Sequence, residues 1–195
     1  MSEYGYADYL REAHEMIDGV EAAQVTSVCD AIETACRKGH TLFVCGNGGS
    51  AANASHFAED MATLMLDAEA GTRLKTVGLT DAGPFILAVA NDLGYDQIFE
   101  RQLMVHASPG DVLLSISGSG NSPNVLRATK WARANGMSTL GVTGYDGGEL
   151  GRAVDQELRV ASFNMGMLEC VHLLLLDFIV KELRFRVRGI AHPDR

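Results

Sequence analysis

Two glycine-containing stretches carry the residue types that could do chemistry. The first is Gly46-Asn47-Gly48-Gly49-Ser50, which leaves the apolar run Leu42-Phe43-Val44-Cys45 and enters an alanine-rich segment with Ser50 as its expected N-cap. A strand that ends in glycines and restarts as a helix exposes unpaired backbone N–H groups and the positive end of a helix dipole, which suits an anion such as phosphate. Asn53, His56 and Asp60 follow at i, i+3 and i+7, so they share one helix face above the loop, with Glu59 beside them. The second stretch is Ser117-Gly118-Ser119-Gly120-Asn121-Ser122, again between an apolar run and a helix. Its three hydroxyls and the helix N-terminus suit the terminal oxygens of a phosphate monoester. It lacks the Gly-Lys-Ser/Thr of a P-loop, so nucleotide hydrolysis is not indicated.

The elements that must position these loops alternate along the chain. Residues 7–18 and 22–38 read as helices, the second closed by Gly39. Strand-like runs at 42–45, 75–79, 112–116, 138–142 and 156–160 are separated by helical segments at 50–66, 83–91, 96–106, 123–135 and the short turn 150–153. A final helix spans 165–184. This alternation predicts a parallel sheet with helices on both faces, and ligands then sit beyond the carboxyl ends of the strands. Both loops, together with Thr80-Asp81 and Thr143 to Gly148, fall at that edge.

The chain has 195 residues, 47% of them hydrophobic, which is enough for one α/β domain with a full core. A formal net charge of −9 argues against a nucleic-acid partner, although a local dipole can hold a small phosphorylated ligand in an acidic protein. Cys29, Cys36, Cys45 and Cys170 form no CxxC pair, and buried thiols in a reducing compartment are expected. No leader-like segment or membrane span is visible, so a cytoplasmic location is expected.

Four motifs in order resemble the sugar isomerase (SIS) family, and within it the phosphoheptose isomerase branch: Cys45 to Ser50, Ala90 to Tyr95, Ser117 to Ser122 and Thr143 to Gly148. The similarity runs from about residue 8 to 184. It implies one SIS domain over residues 1–195, with residues 1–40 a helical oligomerisation segment and 41–195 the α/β core. The implied fold is flavodoxin-like, a three-layer α/β/α sandwich around a five-stranded parallel sheet. The implied assembly is a homotetramer whose N-terminal helices form a central bundle, with sites near subunit interfaces. Its phosphoheptose isomerases convert sedoheptulose 7-phosphate to glycero-manno-heptose 7-phosphate, often with zinc. By the same resemblance, substrate contacts fall on Asn47, Gly48, Gly49 and Ser50, on Asn91 and Asp92, and on Ser117, Gly118, Ser119 and Ser122. The family's middle threonine of Ser-Thr-Ser is absent here, where Gly118 stands.

The acid–base and metal positions fit less closely. The family's histidine on the glycine-loop helix matches His56, and its glutamate four residues on matches Asp60. On the last helix, one deleted residue near 163–168 places Glu169, His172 and Asp177 at the family's glutamine, histidine and catalytic histidine. A second deletion would place Leu168 and Leu176 there instead. The first register keeps His172 aligned. It makes His56, Asp60, Glu169 and Asp177 a ligand set for zinc or another divalent ion, and Asp60, Glu169 and Asp177 the catalytic candidates. Aldose–ketose isomerisation needs such a group, because a base must come within roughly 3 Å of a carbon-bound proton. The second register would leave a phosphosugar-binding scaffold resembling the replication-initiator-associating proteins of the same branch. Asp177 lies among leucines and needs a partner, either a metal or a basic side chain.

Overall fold

A computed structural model describes residues 4–64 and 74–188. Helices α1 (Tyr6–Asp18) and α2 (Ala22–Arg37) precede an alternation of β1 (Thr41–Gly46), α3 (Gly49–Leu64), β2 (Lys75–Gly78), α4 (Gly83–Asp92), α5 (Glu100–His106), β3 (Val112–Ser117), α6 (Pro123–Ala134), β4 (Ser138–Thr143), α7 (Gly148–Ala153), β5 (Gln156–Arg159) and α8 (Met165–Arg188). The five strands are all parallel in the order β2-β1-β3-β4-β5. The chain therefore winds outward from β1 in one direction and, after β2, in the other. This gives the expected flavodoxin-like α/β/α sandwich.

Side chains alternate along the strands and divide the core in two. Leu42, Val44, Leu114, Ile116 and Val142 pack against α1, α2, α3 and α8. Phe43, Cys45 and Leu113 pack on the other face with residues of α4, α5, α6 and α7. Right-handed crossovers require this split, because α3 leads from β1 to one side whereas α6 and α7 lead to the other. Four details differ from the sequence reading. Helix α3 begins at Gly49, so Ser50 is not its cap but lies buried in the first turn. The segment expected as one helix over 96–106 divides into a 3₁₀ turn (Tyr95–Gln97) and α5, the tighter turn leading into the buried pair Ile98 and Phe99. Helix α7 starts earlier than expected, after Gly147 in a left-handed conformation, and α8 runs on to Arg188. The last two residues of the helix expected over 50–66 lie outside the described residues. No described helix is long and apolar enough to cross a membrane.

Candidate active site

Strands β1 and β3 are neighbours, with Gly46 level with Ile116, so the glycine loop and the serine loop emerge side by side. They leave for helices on opposite faces, and the crevice between them is the topological switch point of the sheet, where such folds bind ligands. The serine loop is closed on itself. Ser117 and Ser122 hydroxyls lie 3.2 Å apart, Gly120 N–H donates to the Ser117 carbonyl, and Ser119 Oγ accepts from Asn121 N–H at 3.3 Å. Ser122 is the N-cap of α6, yet its hydroxyl makes no capping bond, and Pro123 follows in the first turn. From behind, Gly144 N–H donates to the Gly118 carbonyl and Leu150 N–H to that of Gly120. The result is a braced turn with hydroxyls gathered over a helix N-terminus.

The missing threonine at position 118 has a structural counterpart. A Cβ built on Gly118 would lie 2.6 Å from Met165 Sδ and 3.1 Å from Leu168 Cδ2, so side chains of α8 fill the space. Leu168 also packs against Gly144 and is fully buried. Its neighbour Glu169 points the other way. Its carboxylate rests against Gly49 so closely that any side chain there would collide with it. Asn53, buried on α3, donates to the Glu169 carbonyl at 2.9 Å and ties α8 to the glycine-loop helix. Glu169 rather than Leu168 therefore meets the glycine loop.

His56 Nε2 lies 3.4 Å from Asp60 Oδ2, and Glu59 joins them, one ligand atom from each lying within 4.8 Å of the others. Metal–ligand bonds of about 2.0–2.2 Å place the ligands of a tetrahedral ion roughly 3.3–3.6 Å apart, so the His56–Asp60 spacing suits zinc or a similar cation. The set differs from the expected one. Glu59 is in it, whereas Glu169 sits at Gly49 and Asp177 elsewhere on α8. Asp177 finds the basic partner its surroundings call for, in Lys181 at 2.6 Å. The leucine run does not bury it, because α8 turns Leu174 and Phe178 outward with it. Asn91 and Asp92 end α4, exposed and bonded to each other at 2.8 Å.

The sequence reading missed Asn124, and it aligned His172 with a family histidine without giving it a place at the site. Asn124, on α6, exchanges two amide hydrogen bonds with Asn47, at 2.8 and 2.9 Å, and the Tyr95 hydroxyl donates to Asn47 Oδ1 at 3.0 Å. His172 is fully buried and donates from Nε2 to the Thr143 carbonyl at 2.9 Å. Burial pushes its pKa down from 6.5 to about 4, against a smaller upward pull from that hydrogen bond. It is thus neutral near pH 7, with its proton on Nε2.

Comparison with known proteins identifies the frame that holds these groups. Residues 5–144 match the family model described as SIS domain. A phosphoheptose isomerase from Aliarcobacter butzleri is 42% identical over 74% of this chain and 75% of its own length. A probable phosphoheptose isomerase from Thermoplasma acidophilum is 35% identical over 88% of this chain and 93% of its own. The solved structure of a phosphoheptose isomerase from Neisseria gonorrhoeae superimposes with a TM-score of 0.83 at 30% identity, covering 91% of this chain and 94% of that one.

Proposed function

The chain belongs to the SIS domain family, and we propose that it is a phosphoheptose isomerase that interconverts sedoheptulose 7-phosphate and glycero-manno-heptose 7-phosphate. The observation that carries this reading is the pairing of two unlike loops at the β1–β3 switch point. One is rich in hydroxyls, and the other has the Glu169 carboxylate against it, with a histidine–carboxylate group further along α3.

The serine loop takes the phosphate, through the Ser117, Ser119 and Ser122 hydroxyls gathered at the start of α6. The Glu169 carboxylate beside Gly49 disfavours the phosphate dianion there, so the glycine loop takes the sugar's reacting end. Isomerisation is redox-neutral. A base removes a proton from C1 of the ketose, an enediol forms, and the proton returns to C2 while the hydroxyl proton moves from O1 to O2. We assign the base to Glu169, because Asp177 is spent on Lys181. His56, Glu59 and Asp60 would hold zinc or another divalent cation. When bound, such an ion polarises an adjacent carbonyl oxygen. Asn91 and Asp92 are assigned to the sugar hydroxyls on family resemblance.

A homotetramer fits the surface. Tyr6, Tyr9 and Leu10 of α1 are exposed, as are Leu174 and Phe178 of α8. A cavity of about 270 Å³ opens between α2 and α8, where Val25, Cys29 and Phe178 meet the charged Glu182 and Arg186. Such apolar exposure on neighbouring helices suits burial against other copies, which would bring Asp177 to a subunit boundary. We place the whole chain in one SIS domain and the protein in the cytoplasm, which cysteines outside any disulfide suit. The test is direct. Purified protein with sedoheptulose 7-phosphate and zinc should yield the aldoheptose phosphate, and Glu169→Ala should abolish this while phosphosugar binding persists. A clean lack of product with metal supplied would overturn the assignment.

A further inference from the structure

The amide group of Asn47 has less freedom than its place in a glycine loop suggests. Asn124 sits at the second position of α6, 1% exposed, and its Oδ1 accepts the backbone N–H of Val125 at 3.0 Å. An NH₂ group in that place could not accept, so the Val125 bond fixes which end of the Asn124 amide points where. Asn124 Oδ1 then takes a hydrogen from Asn47 Nδ2, and Asn124 Nδ2 gives one to Asn47 Oδ1. Asn47 Oδ1 takes a second hydrogen from Tyr95, filling both of its lone pairs. What remains on Asn47 is one N–H of Nδ2.

We propose that Asn124 and Tyr95 are positioning residues that lock Asn47 as a hydrogen-bond donor toward the sugar. Asn47 thereby reads an oxygen that can accept, a carbonyl or alkoxide-like oxygen at the reacting end. The clamp also joins three separate segments: the loop after β1, the start of α6 after the serine loop, and the 3₁₀ turn after α4. It couples the site for the reacting end to the site for the phosphate across 77 residues of sequence. This inference rests on the isomerase reading for its kinetic consequence, but not for the hydrogen-bond polarity itself.

Three variants test it, assayed with sedoheptulose 7-phosphate beside the unaltered protein. Tyr95 is largely exposed, so Tyr95→Phe removes one hydrogen bond without touching the core. It should lower kcat/KM roughly 3- to 10-fold, mainly through KM, with an unchanged melting temperature. Asn124→Ala should cost roughly 30-fold or more in kcat/KM, because Asn47 then turns freely. In the double variant the tyrosine change should add less than about twofold, since its bond has already lost its purpose. A Tyr95→Phe enzyme with kinetics within about twofold of the parent, or fully multiplicative losses in the double variant, would overturn the clamp. A second readout needs no turnover. In side-chain amide exchange by NMR, one Asn47 Nδ2 proton should be protected and the other fast, and both should be fast in Asn124→Ala. Two fast protons in the parent protein would sink the proposal. If the parent leaves the sugar phosphate unchanged while this asymmetry stands, the isomerase reading fails and the clamp survives.

Discussion

The loops after β1 and β3 are built on the same plan, a parallel strand running through glycines into a helix, yet their surroundings differ. The serine loop is backed by apolar α8 side chains, Met165 and Leu168, and no carboxylate is among the atoms nearest Gly118. The glycine loop has the Glu169 carboxylate against it and a locked amide pair at its tip. Leu168 and Glu169 are adjacent in sequence, so a single turn of α8 serves both loops, apolar to one and acidic to the other. The difference teaches that helix N-terminal N–H groups alone do not decide what a loop binds. The charge brought against them does.

The largest effect should come from disturbing the acidic side. A methyl at Gly49 would occupy the position of the Glu169 carboxylate, and the flexible glutamate would yield before the backbone does. Gly49→Ala should therefore lower kcat roughly 100- to 1000-fold while the melting temperature and inorganic phosphate binding stay near those of the parent. Equal loss of phosphate affinity would show that the two loops do not divide the substrate as proposed.

The next effect concerns what stands behind the serine loop. His172 holds the Thr143 carbonyl at the end of β4, and the next residue, Gly144, donates to the Gly118 carbonyl. The folded-state pKa of His172 is about 4, below the 6.5 of an unperturbed imidazole, because burial opposes the charged form. Between these values the unfolded chain binds the extra proton and the folded chain does not. Stability is therefore full above about pH 6.5 and declines as pH falls toward 4, by about 3 kcal/mol if the shift is fully expressed. Denaturant melts at pH 7 and pH 4.5 should show this loss, and His172→Gln should flatten the slope over that interval. A smaller effect is expected at the loop itself. Ser122→Ala removes a hydroxyl that makes no cap, so KM for the sugar phosphate should rise about 10-fold with little change in stability.

Much of this division could be read from the chain, because it rests on local patterns. Strand and helix periodicity gave the five strands and their parallel pairing, and serines and glycines between a strand and a helix marked the phosphate loop. What stayed hidden depended on partners distant in sequence. Nothing near Asn47 announces Asn124, although an asparagine just after Ser-Pro at a helix start has the geometry to turn its amide back onto a neighbouring loop. The phase of α8 was obscured by four consecutive leucines, which leave a helical register undefined by hydrophobicity. A signal was present there too. Asp177 and Lys181 stand four apart, the spacing of an exposed helical ion pair, and that places Asp177 on the outer face. Glu59 is exposed, yet it joins His56 and Asp60.

The smallest effect bears most directly on why the serine loop departs from the Ser-Thr-Ser pattern it otherwise resembles. If Met165 and Leu168 fill the space of the absent threonine, restoring it must crowd them, with Cβ 2.6 Å from the methionine sulfur. Methionine is unbranched and can swing away, so Gly118→Thr should cost only about 1 kcal/mol, at the low end for an overpacked core. Met165→Ala alone should also destabilise, because it opens space beside Gly118. The two changes together should cost less than their sum, since the threonine occupies what the methionine vacates. Phosphate affinity should hardly move, because the Gly118 carbonyl keeps its bond from Gly144 and the hydroxyls of Ser117 and Ser122 are untouched. Additive losses in denaturant melts would mean that the α8 side chains and the absent threonine do not share one space, and the apolar backing of the phosphate loop would need another explanation.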